Sequence, residues 1–331
     1  MPAPQIHLSF GLSLKDHPAI APAMRNACAA EPTYVRLGSI FHDLPYYGNM
    51  LAEAIRYGLR GAALDEPWAY RMHSVRPARL VASYIRSAAL TPGLAENERL
   101  ALVGGLLSHC ALDLTLHPLV NYCARRDTAR FGGHESVHHR LTEKYQALFF
   151  HLDRLGADPI GTAEFRTWTR VVKDGSMVRA RVEEPILAFM QDAYRGAYGG
   201  APEGRTWARW VRSFAHFGAL VSTPMAARNS QRVRKDESLR DRYFDNDVFR
   251  FFEFYSCSER RLAELSNLGY AYFQAGDFSR AAEDAFVIAS RIDDLAEPEP
   301  QAIDQLPELP RLLVTCTPGI TNPRVLDRLA A

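Results

Sequence analysis

His109, Asp113 and His117 stand four residues apart in a stretch that is otherwise almost wholly apolar. Residues at i and i+4 share one helical face, with Cβ atoms about 5–6 Å apart. The spacing therefore stacks an imidazole, a carboxylate and a second imidazole along one stripe. Buried polar groups at that density need partners, and an ionised carboxylate needs a strong one. A metal ion satisfies all three. His139 and Glu143 repeat the i, i+4 pattern one segment later. Mixed nitrogen and oxygen donors of this kind suit zinc, at roughly 2.0–2.2 Å.

Of the 11 histidines, His109, His117, His134, His138, His139 and His151 crowd into one short part of the chain. A single His–Asp pair in a helical core is more often a hydrogen-bonded structural pair than a ligand set. Five metal-type side chains on two successive segments reverse that judgement. Three further donors must come from elsewhere: His7 near the start, Asp43 in a turn-rich segment, and His73 just ahead of another helical stretch. Taken singly, each reads equally well as a capping or surface residue.

The elements that must position these groups are helical. Apolar residues recur at helical spacing over 52–59, 79–89, 97–122, 136–155, 177–194 and 206–221, and the pattern predicts an all-α protein. Residues 98–122 are apolar on nearly every face, as a helix in the middle of a bundle would be. Residues 311–315 are the one short strand candidate. Breaks fall at Pro92-Gly93, Gly132-Gly133, 199–202 and the acidic, proline-rich 297–310. The second-last of these divides a catalytic domain over 1–198 from a C-terminal helical region over 199–331. That region either stands alone or completes the same bundle. Within it, residues 267–282 resemble one tetratricopeptide-type helical hairpin, turning at Gly276-Asp277, inside a unit spanning about 262–291. A lone copy cannot form an array, so it reads as a hairpin that closes a bundle.

Read together, His7-Leu-Ser-Phe-Gly, Leu37-Gly-Ser-Ile-Phe-His-Asp43, His73, His109-Cys-Ala-Leu-Asp113, His117-Pro118 and His139-Arg-Leu-Thr-Glu143 resemble the zinc-dependent phospholipase C family. Its fold is shared with single-strand-specific nucleases. The resemblance covers about residues 5–150 and implies a cluster of two to three zinc ions. One ion would take Asp43, His73, His109 and Asp113. A second would take His7 and Asp113, which bridges. A third would take His117, His139 and Glu143, with His138 the alternative to His139. Asp43 and Asp113 would be the catalytic carboxylates.

The activity implied is phosphoester hydrolysis by a phosphodiesterase or phosphatase, with a hydroxide nucleophile made available near neutral pH. The substrate expected is a small phosphoester or a phospholipid head group. Tyr46, Tyr47 and Tyr57 are candidates to line a pocket, although aromatics in a bundle are more often core. A single-strand nuclease is the alternative, with Arg125, Arg126, Arg130 and Arg140 as a basic track. A non-catalytic, zinc-containing partner-binding protein is the other.

Composition excludes little of this. Hydrophobic residues at 47% and charged residues at 23% are those of a folded domain. Lys+Arg 39 against Asp+Glu 38 leaves no overall footprint for nucleic acid. No long uninterrupted apolar run suggests a membrane span. The N-terminus lacks a basic region followed by an apolar one, and the five cysteines form no CxxC pair, which together predict a cytoplasmic protein.

Overall fold

The computed structural model describes residues 4–48, 67–156, 158–172, 177–178, 181–182, 184–245 and 248–292. The chain is all-α. The helices in order are α1 (Pro4–Leu12), α2 (Pro22–Ala30), α3 (Pro32–Ile40), α4 (Leu44–Tyr47), α5 (Pro67–Ser74), α6 (Pro77–Leu90), α7 (Glu96–Phe131) and α8 (Glu135–Leu155). Then come α9 (Ala163–Trp168), α10 (Glu184–Tyr198), α11 (Gly204–Val221), α12 (Pro224–Arg234), α13 (Glu237–Arg240), α14 (Val248–Ala275) and α15 (Arg280–Ser290).

The long helix α7 is the axis of the bundle, and α2, α3, α8 and α14 all pack against it. Glu98 starts it by accepting from the Ala95 N–H at 2.9 Å, with Glu96 in the same first turn where the helix dipole favours acids. Gly132, at φ +71°, ends it. Pro118 sits inside it and has no N–H to give the Leu114 carbonyl, yet the helix runs on through it. The apolar core of α7 is long enough to cross a bilayer by composition, and 83% of that window is buried within the protein itself. Burial of residues 100–113 explains why that part of the helix carries no solvent-facing polar side.

Two glycines set how closely α3 approaches α7. A Cβ on Gly38 would strike the Leu102 carbonyl oxygen, and one on Gly105 would strike that of Val35. The two backbones therefore touch. This contact brings the end of α3, and the Asp43 turn that follows, against the middle of α7.

The core draws on both halves of the chain. Trp207, Trp210 and Phe214 from α11, and Phe251, Leu262 and Leu265 from α14, lie in the same buried cluster as Leu102, Leu106 and Leu107 of α7. Near the C-terminus α14 ends at Ala275, just before Gly276 at φ +61°, and Ser279 caps α15 by accepting from the Ala282 N–H. Tyr272 stacks on Phe286 across it, and Glu283 and Asp284 receive Arg79 of α6.

One helical expectation needs correction. Residues 177–178 and 181–182 are two short strands paired antiparallel, and the helix starts only at Glu184. Pro185 is the reason: it is accommodated in a first turn but disfavours helix immediately before it. The segments 52–59, with Tyr57, and 297–315 lie outside the described residues.

Candidate metal centre

Four helices and one turn converge on Asp113. Its Oδ2 lies 3.0 Å from His109 Nε2 and 3.9 Å from His73 Nε2. Its Oδ1 lies 3.4 Å from both His7 Nε2 and His117 Nε2. Asp43 follows α3 and stands 3.5 Å from His73 and 4.0 Å from His109. On the far side, Glu143 Oε1 is 3.3 Å from His117 and 3.1 Å from His139. The structure thus brings together all eight donors singled out in the sequence. They form three groups able to hold a cation: His7, His109 and Asp113; Asp43, His73 and His109; His117, His139 and Glu143.

Three of the five imidazoles are oriented by their other nitrogen. His109 Nδ1 bonds the Ser39 carbonyl at 2.9 Å, and His73 Nδ1 bonds that of Ala69 at 2.8 Å. His139 Nδ1 bonds Asn121 Oδ1 at 2.9 Å. These bonds leave Nε2 to face the cluster, the usual arrangement behind a ligating histidine. His109 consequently has one nitrogen to give and serves one of its two groups, not both.

The test of fit is what these atoms lack. Both oxygens of Asp43, Nε2 of His73, His109 and His117, Asp113 Oδ2 and Glu143 Oε2 are buried without a hydrogen bond. Buried polar atoms left unpaired at this density cost several kcal/mol each unless a cation meets them. The donor set fits zinc.

The electrostatics agree. Burial opposes charge on His109 and His117, but Asp113 and the other carboxylates outweigh it and raise both to about 9. Burial, aided by the neighbouring His109, lowers His7 to about 4. Asp113 is held well below the carboxylate range: burial opposes this, and His109, His117 and His7 override it. Asp113 and Glu143 are anionic and demand positive charge, which protons supply when no metal does. Zinc uptake at neutral pH therefore displaces protons.

A family model for zinc-dependent phospholipase C matches residues 6–192, a span that contains every one of these donors. The chain belongs to that family. Membership makes this a chain of a zinc-dependent hydrolase family, and the buried His/Asp groups are ones that could hold a metal ion. No curated protein and no solved structure matches the chain.

Sequence reasoning passed over two residues that stand behind these donors, Asn121 and His42. Asn121 continues the 109–113–117 stripe by another four residues, so its place behind the cluster was readable. His42 was not: it is fully buried, stacks on His109 at 4.9 Å and has neither ring nitrogen bonded. Other histidines fall away from the centre. His138 turns to the Gly132 carbonyl, His134 caps α8, and His151 bridges Ala147 and Ser9. Tyr47 is core against Phe214 and Phe217, whereas Tyr46 lies beside His73.

Proposed function

We propose that this protein is a zinc-dependent phosphoester hydrolase, a phosphodiesterase or phosphatase that holds two to three zinc ions. The observation that carries the proposal is Asp113, whose two oxygens face different imidazoles, as a carboxylate shared between cations would. Asp43, His73 and His109 would hold one ion, His7 would join Asp113 at another, and His117, His139 and Glu143 would hold the third. A purely structural zinc site closes with four ligands, and eight donors around one cleft exceed that need. When bound, zinc supplies Lewis acidity that polarises phosphoryl oxygens and acidifies water. Asp43, whose two oxygens have no hydrogen bond, would orient the attacking water or accept its proton.

The substrate is a small phosphoester or a phospholipid head group, and the site of action is cytoplasmic. Nucleic acid is a less favoured substrate because three of the four basic residues near the centre are engaged: Arg125 pairs with Glu135, Arg126 with Asp127, and Arg140 bonds the Ser136 carbonyl.

Zinc-reconstituted protein is expected to carry two to three equivalents of metal and to hydrolyse at least one of a phosphomonoester, a phosphodiester, phosphatidylcholine or single-stranded DNA. Asp113→Asn keeps the shape and removes the charge. Its zinc content should fall and its rate should drop by roughly two orders of magnitude or more, with circular dichroism unchanged. Unimpaired turnover by Asp113→Asn, or a metal-loaded parent inert across the panel, would end the hydrolase reading.

A further inference from the structure

The cleft beside the His7, Asp113, His117 and Glu143 wall has an unusual lining. Apart from these acids and imidazoles it is formed by Ile6, Leu112, Leu116, Val120, Ala147, Phe251 and a single neutral amide, Gln146. Gln146 is 2% exposed, and its Nε2 is buried without a hydrogen-bond partner. A buried donor left unpaired costs about 1–3 kcal/mol, which a protein tolerates where something else supplies the acceptor. Helix geometry sets its aim: Gln146 lies three residues after Glu143 and seven after His139, on the same face of α8.

An anion entering this cleft meets two carboxylates and an apolar wall. Cations at the three ligand groups would attract some of its oxygens. Among the described residues, the Gln146 amide is the one neutral side-chain donor that an oxygen directed towards the wall would meet. A charged oxygen accepting from a neutral N–H makes the stronger class of hydrogen bond.

We propose that Gln146 is a substrate-binding residue of this site, its Nε2 donating to a phosphoryl oxygen of the bound phosphoester. The assignment rests on the hydrolase reading for the identity of the ester, but the anion contact can be measured without turnover. The amide also explains how a cleft rich in carboxylates accepts an anion in a fixed pose, since a neutral donor adds direction without adding charge. The wall around it, Leu116, Val120 and Phe251 included, then faces the ester's uncharged substituent.

The probe is inorganic phosphate, titrated calorimetrically into zinc-reconstituted parent, Gln146→Met and Gln146→Glu. Methionine keeps the length and removes the donor. Glutamate keeps the shape and replaces the donor by an anionic oxygen. Both variants are expected to hold as much zinc as the parent and to melt at a similar temperature. Phosphate affinity should fall about tenfold in the methionine variant and further in the glutamate variant. For any ester the parent turns over, KM should rise more than kcat falls.

Phosphate binding as tight in Gln146→Met as in the parent overturns the assignment. Loss of zinc from that variant also overturns it, because the amide would then be holding a ligand side chain rather than substrate. If Gln146→Met melts early, the comparison rests on Gln146→Glu, where unchanged phosphate affinity is equally fatal. A parent that binds zinc and phosphate through Gln146 yet hydrolyses nothing upholds this assignment while defeating the hydrolase reading.

Discussion

At the scale of single residues, buried carboxylates divide by what meets them. Asp43 and Asp113 face imidazoles in the metal centre. Asp153 and Asp245 share the buried Arg240 guanidinium at 2.8 and 3.0 Å. Asp158 accepts from the Ser230 hydroxyl and the Ile160 N–H, and burial raises it from 3.8 to about 6 despite those bonds and the Lys144 charge. A raised acid binds its proton more tightly folded than unfolded, so the protein loses stability from this group as pH climbs from about 4 through 6. At pH 7 the loss is on the order of 1–3 kcal/mol, at 1.36 kcal/mol per pKa unit. Asp158→Asn should therefore raise the thermal midpoint at pH 7 and lose that advantage at pH 4. Parallel melting curves for the two proteins across that range would contradict it.

At the scale of elements, the contact of α3 with α7 links fold to site. It carries Asp43 to His109 and puts the Ser39 carbonyl behind the His109 ring. Gly105→Ala should improve helix propensity by about 1 kcal/mol, yet its methyl meets the Val35 carbonyl, a backbone atom that cannot rotate away. Overpacking of this kind costs about 1–3 kcal/mol or more, so the clash wins. Thermal unfolding should show net destabilisation, and zinc titration should show weakened binding as Asp43 is pushed from His109. A variant as stable as the parent with full zinc affinity would mean the helices part freely. The helices over 79–89, 97–122, 136–155 and 206–221 were legible from periodicity because burial imposes a 3.6-residue pattern. The 177–183 stretch was not, because its apolar residues fit two periods and Pro185 decided between them.

At the scale of the whole molecule, the family match stops at residue 192 but the core does not. Trp207, Trp210, Phe214, Phe251, Leu262 and Leu265 are each at most 2% exposed. Burying side chains of this size contributes about 1.5–3 kcal/mol apiece, roughly 10 kcal/mol or more together. The net stability of a domain is about 5–15 kcal/mol. A chain ending at Tyr198 should therefore fail to unfold cooperatively and should retain little zinc, as denaturant titration and metal analysis would reveal. A sharp two-state transition in that fragment would show that 1–198 folds by itself.

The stripe His109–Asp113–His117 and the pair His139–Glu143 were determined by the sequence alone, because helical spacing is local and places such groups on one face before any packing occurs. The same locality made the all-α class readable. What only the tertiary structure decided is which distant groups complete the cluster. His7, Asp43 and His73 come from α1, the turn after α3, and α5, and no spacing in the chain relates them to α7. Their approach depends on glycines that let backbones touch and on a C-terminal half that covers the remaining apolar faces. Gln146 was invisible for the same reason: a lone glutamine on a helix becomes informative only when its neighbours in space leave its amide without a partner.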